Sequence, residues 1–152
     1  MITTEWFFGS DGLDEAHMIR RKVFIEEQGI SEADEMDGTD VSCAHLVAYD
    51  EGVPVATGRI MITADEYIIG RVAVLPEYRG QKLGSLVMLA CIHACNEMGG
   101  KRQVVHAQLP VKGFYEGLGF SAYGDVYEEA GIQHICMEHF GECSVCFSEL
   151  MN

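Results

Sequence analysis

The stretch Arg71-Val-Ala-Val-Leu-Pro-Glu-Tyr-Arg-Gly-Gln-Lys-Leu-Gly-Ser85 decides the fold of this 152-residue chain. A β-prone run ends at Pro76, a glycine-containing turn follows, and a helical pattern begins at Lys82. At such a strand-to-helix turn, backbone N–H groups point outward with the positive end of the helix dipole behind them. The segment therefore predicts an α/β protein with an anion site, typically for phosphate, at the start of a helix.

This turn lacks the two commonest phosphate-binding patterns. It is neither the Gly-x-x-x-x-Gly-Lys-Ser/Thr loop nor the Gly-x-Gly-x-x-Gly fingerprint of dinucleotide-binding domains. Arg79 and Lys82 add positive charge, while Gly80 and Gly84 would let the backbone approach a ligand closely. From the turn alone, an ordinary glycine-rich connection with a solvated arginine explains the pattern as well as a phosphate site does.

The residues on either side predict alternating strands and helices in one domain. Strands are predicted over residues 3–10, 44–49, 53–62, 67–75, 103–109, 121–128 and 132–140. Helices are predicted over residues 13–28, 82–98 and 111–118, where apolar residues recur at helical spacing. Because no linker, repeat or change of composition interrupts this order, we expect a single domain over residues 1–152, with residues 141–152 as a C-terminal tail. The expected fold is α/β, with a mixed, mostly antiparallel sheet and helices on both faces.

The composition excludes several classes of protein. With 48% hydrophobic residues, the chain can bury a real core and is not intrinsically disordered. A net charge of −14 argues against nucleic-acid binding, which needs clustered lysine and arginine. The sequence contains neither a run of about 18 apolar residues nor a recognisable signal peptide. We therefore expect a cytoplasmic protein with no membrane partner.

The charge is unevenly distributed along the chain. Residues 51–100 carry five acidic and four basic side chains, whereas residues 1–50 carry twelve and three. An anionic ligand is therefore expected to bind the middle third. Residues 26–40 contain seven acids and no base, which predicts a solvated loop or a short helix.

Six cysteines do not form a recognisable disulfide framework. Cys91 and Cys95 lie within a predicted helix, and a chain with a full core needs no covalent staples. We interpret all six as reduced thiols. Cys143 and Cys146 have metal or redox spacing, but a zinc site would need two further ligands, such as His139 and one more. No metal site is predicted.

A second segment, Gly113-Phe-Tyr-Glu-Gly-Leu-Gly-Phe120, follows the next predicted strand. Together the two segments resemble the GCN5-related N-acetyltransferase (GNAT) family. Its acetyl-CoA motif is Arg/Gln-x-x-Gly-x-Gly/Ala, and a downstream Phe-Tyr-x-x-x-Gly-Phe is equally typical of it. The resemblance extends over residues 3–140 and is strongest to small single-domain bacterial members. One position departs from the motif: Lys82 stands where the family has its first glycine, so weaker geometry but retained binding is expected.

The resemblance implies how acetyl-CoA, as cosubstrate, would bind. The fourth strand would splay from the fifth, and the backbone of the fourth would pair with the pantetheine arm. Backbone N–H groups of the turn would hold the pyrophosphate. The implied residues are Val72, Ala73, Val74, Arg79, Gly80, Gln81, Lys82, Leu83, Gly84 and Ser85.

The resemblance also implies catalytic residues. Tyr115 occupies the position of the family's general acid, which protonates the departing thiolate; packing beside Phe114 is the alternative role. His134 is the first candidate for the base, because imidazole titrates near neutral pH and some similar GNATs use a histidine in that strand. Further candidates for the base are Glu26, Glu27, His45, His106 and a chain of waters.

The resemblance implies an N-acetyltransferase that acts on a small primary amine by direct attack in a ternary complex. Arg71, Arg20 and Arg21 are candidate ligands for a substrate carboxylate, although ordinary surface ion pairs would also explain them. The acids of residues 26–40 are expected to favour a cationic amine. Alternatives are a non-catalytic acyl-CoA sensor, an enzyme acting on a protein amine, and a cysteine-based redox or metal protein. Family habit suggests a homodimer.

Overall fold

The computed structural model describes residues 1–143 and contains one seven-stranded mixed sheet. The strand order is β1-β2-β3-β4-β5-β7-β6, and every neighbouring pair is antiparallel except β4 and β5. The strands are β1 (Ile2–Phe8), β2 (Ala44–Asp50), β3 (Val53–Ile62), β4 (Tyr67–Val74), β5 (Arg102–Gln108), β6 (Ser121–Glu129) and β7 (Ile132–Phe140). The helices are α1 (Leu13–Arg20), α2 (Glu32–Glu35), α3 (Leu83–Glu97) and α4 (Lys112–Gly117). The predicted α/β class and element order are confirmed.

Helices cover both faces of the sheet, and the second strand shows why. Successive side chains of a strand point to opposite faces, and nearly all of β2 is buried. Leu46 and Ala48 belong to the core that includes α3, whereas Val47 and Tyr49 belong to a second core that includes α1. Strands buried on both sides in this way hold the centre of the sheet rigid.

The parallel strands β4 and β5 pair over two positions, Tyr67 with Gln103 and Ile68 with Val104. Both strands continue beyond these pairs, to Val74 and Gln108 respectively. They therefore diverge toward their carboxyl ends and leave a gap in the sheet. Sites in α/β sheets commonly form at the carboxyl ends of parallel strands.

The first helix changes its hydrogen-bond pattern halfway. A single helix was predicted over residues 13–28, and α1 instead continues as a π-helical segment, Arg21–Glu27. Wider helical turns of this kind are frequent at functional sites. This one brings the end of the segment beside the gap between β4 and β5, where Glu27 and Gln28 line a cavity.

The prediction of a solvated segment over residues 26–40 is wrong in part. It does contain a short helix, α2, but Glu35 and Asp40 are buried. Both pair with Arg20, whose side chain is 1% exposed, and Asp40 also pairs with Arg59. Burial is possible because these carboxylates meet arginines from other parts of the chain.

Across residues 1–143, no helix is both long and apolar enough to cross a membrane.

Candidate active site

The gap between β4 and β5 opens into a cavity of about 620 Å³. It receives residues from the π-helical segment, from β4 and β5, and from α4 and β7. Among its lining residues are Glu27, Arg71, Val74, Tyr115 and His134. Residues far apart in the sequence thus meet where the sheet is interrupted.

The carboxyl end of β4 presents unpaired backbone to this gap. Leu75 donates its N–H to the carbonyl oxygen of Val55 at 3.0 Å, so the backbone groups of Leu75 face β3. Because these groups alternate along a strand, the N–H and C=O of Val74 face the gap. Val72 lies two residues earlier on the same strand. Both line the cavity together with Ala73, so the three strand residues implied for cosubstrate binding lie together.

A bulge in β4 was not predicted. Thr57 pairs with Ala73 and Arg59 with Gly70, which leaves Arg71 and Val72 opposite Gly58. Arg71 has φ of +52°, an uncommon value for a residue with a side chain. Bulges of this kind often lie beside active sites and re-aim a residue. Gly58 was a signal in the sequence, because a glycine within a strand often marks a bulge. In the structure, a Cβ atom at position 58 would lie 2.6 Å from Val87 on α3.

The predicted phosphate turn lines a second cavity of about 330 Å³. Arg79, Gly80, Lys82, Leu83, Gly84 and Ser85 all border it. Lys82, which replaces the motif's first glycine, adopts the left-handed conformation with φ of +62° and ψ of +22°. Glycine adopts this backbone conformation readily. For lysine, which has a Cβ, the same conformation costs roughly 1–2 kcal/mol. Lys82 makes no ion pair with any residue of the 1–143 range, which fits a turn that holds phosphate.

The two cavities share four lining residues, namely Val74, Arg79, Gly84 and Phe114. The two cavities therefore adjoin each other along these residues and together make up one groove. One end has the chemistry for a pyrophosphate, the middle has strand backbone suited to amide groups, and the larger end contains titratable side chains. This donor set fits a CoA thioester.

Tyr115 lies on α4 and lines the larger cavity. Its ring packs edge-to-face against Phe114 and Phe120, with centroids 5.0 and 5.9 Å away. Burial raises the pKa of Tyr115 to about 12, and the neighbouring Cys91 thiol acts in the same direction. The phenol is therefore fully protonated at neutral pH, as a proton donor must be.

His134 lies on β7, is 8% exposed and lines the same cavity. Its Nδ1 lies 2.8 Å from the carbonyl oxygen of Ile132, and since a carbonyl can only accept, Nδ1 carries the proton. The neutral ring then has its lone pair at Nε2. Its face stacks on Tyr127, with centroids 5.6 Å apart, so the ring is held in place.

Of the other candidates for the base, some line the cavity and others do not. His106 and Glu27 line the cavity, whereas Glu26 is exposed outside it. Glu27 forms a bidentate ion pair with Arg79, and this contact holds the pKa of Glu27 below its ordinary value. His45 is buried, with Nε2 donating to the carbonyl oxygen of Asp40 at 2.8 Å, and burial lowers its pKa.

The three arginines predicted to bind substrate lie in different surroundings. Arg20 is buried between Glu35 and Asp40, and Arg21 is half exposed and pairs with Glu32 at 2.6 Å; neither borders the cavity. Arg71 does line it. Its Nη2 donates to the carbonyl oxygens of Asp34 and Glu35 and to the carboxylate of Asp37, and its buried Nε lies 3.0 Å from Oε2 of Glu35 in an ion pair.

Several residues of the cavity were not predicted, including Gln28 and Gln108, which are joined by a hydrogen bond of 2.9 Å. Their positions in the sequence could have indicated a place at the site, because Gln28 ends the first predicted helix and Gln108 lies near the end of the fifth predicted strand. The described cysteines, Cys43, Cys91, Cys95, Cys136 and Cys143, are free thiols. Cys146 lies outside the described residues. Within residues 1–143, the side chains form no group of three or more metal ligands.

Comparison with known proteins agrees with this geometry. Residues 21–139 match the family described as the acetyltransferase (GNAT) domain. Protein YyaT of Bacillus subtilis (strain 168) is 38% identical over 139 residues, which are 90% of each chain. Protein ElaA of Escherichia coli (strain K12) is 34% identical over 125 residues, 78% of this chain and 81% of its own.

Solved structures show the same fold. The crystal structure of Escherichia coli ElaA superposes with a TM-score of 0.81 at 29% identity and covers 91% of this chain and 99% of its own. That of an acyl-CoA N-acyltransferase from Pseudomonas aeruginosa has a TM-score of 0.82 at 28% identity, with the same coverage.

The chain is a member of the GNAT family. It is accordingly an N-acetyltransferase, and the family's acyl donor is an acyl-CoA. The resemblance identified from the two sequence segments is confirmed, as is the expected enzyme class.

Proposed function

We propose that the protein transfers an acetyl group from acetyl-CoA to the primary amine of a small molecule, by direct attack in a ternary complex. The observation that carries this proposal is that the two cavities adjoin at Val74, Arg79, Gly84 and Phe114. A donor lying along this groove would bring its thioester to the larger end. An amine entering there would meet it beside Tyr115 and His134.

The turn would hold the pyrophosphate through the backbone N–H groups of residues 81–85, supported by the charges of Arg79 and Lys82. The backbone of Val72 and the gap-facing backbone of Val74 would pair with the pantetheine amides. These interactions position the thioester, which supplies the acetyl group. Holding both reactants together provides most of the rate in reactions of this type.

In the proposed mechanism His134 accepts a proton from the attacking amine through Nε2. A backbone N–H beside the bulge, at Val72, would stabilise the negative charge that develops on the thioester carbonyl. Tyr115 would then donate its phenolic proton to the departing thiolate. Its raised pKa keeps the phenol protonated at neutral pH until the thiolate departs.

The acceptor end of the cavity has mixed charge. Of the seven acids in residues 26–40, Glu27, Glu32, Glu35, Asp37 and Asp40 pair with arginines elsewhere in the described chain. Asp34 lines the cavity and makes no ion pair within residues 1–143. It is the residue through which a cationic amine would be favoured. Arg71 remains the candidate for an acceptor carboxylate, which would have to compete with Glu35 and Asp37 for its guanidinium.

A thiol-release assay with acetyl-CoA over a panel of small amines tests the proposal. Release that depends on one amine class and gives the acetylated amine by mass spectrometry supports it. Binding of CoA without release over the panel would favour a non-catalytic acyl-CoA sensor. Release that requires a peptide would favour a protein substrate. The homodimer and the cytoplasmic location are further proposals, which light scattering and cell fractionation address.

A further inference from the structure

Arg79 is held at three points across the groove. Its Nε donates to the carbonyl oxygen of Val74 at 3.1 Å, and its Nη1 and Nη2 donate to the two carboxylate oxygens of Glu27 at 2.7 and 2.6 Å. Glu27 ends the π-helical segment, whereas Arg79 begins the phosphate turn. The ion pair thus connects the acceptor side of the cavity to the donor side.

The Val74 contact occupies an atom that the cosubstrate would need. The carbonyl of Val74 faces the gap between β4 and β5, on the strand edge proposed to pair with pantetheine. A carbonyl oxygen can accept two hydrogen bonds, but the guanidinium that reaches it from the turn lies across the same opening. Arg79 also borders both cavities, so its position affects each of them.

The same guanidinium is suited to phosphate. Arginine binds carboxylates and phosphates with the same bidentate geometry. A pyrophosphate arriving at residues 81–85 would therefore compete with Glu27 for Arg79. Exchange of one oxyanion for another costs little, because the guanidinium is never left without a partner.

We propose that Glu27 is a latch that holds Arg79 across the groove in the free protein, and that CoA binding moves Arg79 from Glu27 and Val74 to the pyrophosphate. The inference rests on the proposed function, because it assumes that the groove binds CoA. It assigns Glu27 to the control of cosubstrate entry. It also means that the carboxylate of Glu27 becomes free at the acceptor end once CoA is bound.

Calorimetric titration with CoA tests the latch. Glu27→Gln should bind CoA about threefold to fivefold more tightly than wild type, the factor that corresponds to an exposed ion pair of ~0.7–1 kcal/mol. Loss of a negative charge near a polyanion could produce a similar gain. Glu77→Gln is the matched control, because Glu77 is exposed, lies two residues from Arg79 and lines neither cavity.

A double-mutant cycle separates the latch from bulk charge. In an Arg79→Gln background, Glu27→Gln should leave CoA affinity unchanged, since no guanidinium remains to be held. An unchanged or weaker affinity of Glu27→Gln in the Arg79 background overturns the latch. The latch is also overturned if the gain in CoA affinity from Glu27→Gln persists in the Arg79→Gln background, or if Glu77→Gln reproduces it. Wild-type protein that binds no CoA would overturn the proposed function as well.

Discussion

Gly84 lies against the ring of Phe114: a Cβ atom at position 84 would be 3.4 Å from Cζ of that ring and 3.9 Å from Cγ2 of Val74. These are ordinary van der Waals distances, so one methyl group fits. The larger side chains beyond it would have to enter the groove, which all three residues line. The site therefore distinguishes alanine from valine at position 84.

Gly84→Val should weaken CoA binding at least tenfold, about 1.4 kcal/mol, because the added methyl groups would occupy the space of the pyrophosphate. Gly84→Ala is the control and should stay within about threefold of wild type, or under ~0.7 kcal/mol. Calorimetric titration of both folded variants with CoA measures the difference. Equal affinity of the valine variant and wild type would remove the turn from the CoA site.

Local patterns were enough to predict the elements around this turn. The helix predicted over residues 82–98 is Leu83–Glu97, and the strand predicted over residues 132–140 is Ile132–Phe140. Hydrophobic periodicity and glycine positions are properties of neighbouring residues, so one sequence reveals them. The motif residues then fell on one groove because the family's fold places them there.

Features that depend on distant segments were not predictable in this way. The left-handed conformation of Arg71 and the widened helix at Arg21–Glu27 are consequences of packing. The buried cluster joins Arg20 to Glu35 and Asp40, residues 15 and 20 positions apart. Helical spacing places Arg20, and not Arg21, on the apolar face with Ala16 and Val23. It does not indicate which distant carboxylates a buried arginine would meet.

That pair of neighbours provides a stability test. Arg20→Met should destabilise the protein by as much as about 3–5 kcal/mol, because it removes the buried partner that Glu35 and Asp40 share. Arg71 and Arg59 would still neutralise these carboxylates in part. Arg21→Met should cost under ~1 kcal/mol, since its ion pair with Glu32 is exposed. Urea unfolding of the two variants measures both values. Similar midpoints for the two would contradict the structural role assigned to Arg20.

Asp40 makes the same cluster sensitive to acid. Burial alone would raise its pKa, but the hydrogen bonds and charge of Arg20, with His17 and Arg59, hold the pKa well below its usual range. The unfolded chain, with an Asp pKa of about 3.9, therefore takes up the proton first as pH falls. The contribution of Asp40 to the free energy of unfolding should be constant above that pH and decrease below it. Urea midpoints measured across this range should decline less steeply in Asp40→Asn than in wild type.

His134 is expected to be needed for removal of the amine's proton. Its Nδ1 is committed to the carbonyl oxygen of Ile132, so Nε2 is the basic atom. His134→Gln should lower kcat/KM by about 10²–10⁴. His106→Gln is the comparison, because His106 lines the same cavity. A normal kcat/KM in the His134 variant, with the loss appearing in the His106 variant, would transfer the role to His106.

Tyr115 is the residue on which the proposed chemistry depends most. Tyr115→Phe keeps the ring and its edge-to-face contacts with Phe114 and Phe120 but removes the hydroxyl. If that hydroxyl protonates the departing thiolate, kcat should fall by about 10²–10⁴. KM for acetyl-CoA should change little, because the lost interaction belongs mainly to the transition state.

The alternative role for Tyr115, packing, predicts the reverse pattern: nearly normal turnover with modestly lower stability. Tyr78→Phe is a suitable control, because Tyr78 also packs against the core but lines neither cavity. Steady-state kinetics and thermal unfolding of the two variants separate these roles. Because removing a true general acid costs at least about 10² in rate, a Tyr115→Phe enzyme that keeps the turnover of Tyr78→Phe would show that another group protonates the thiolate.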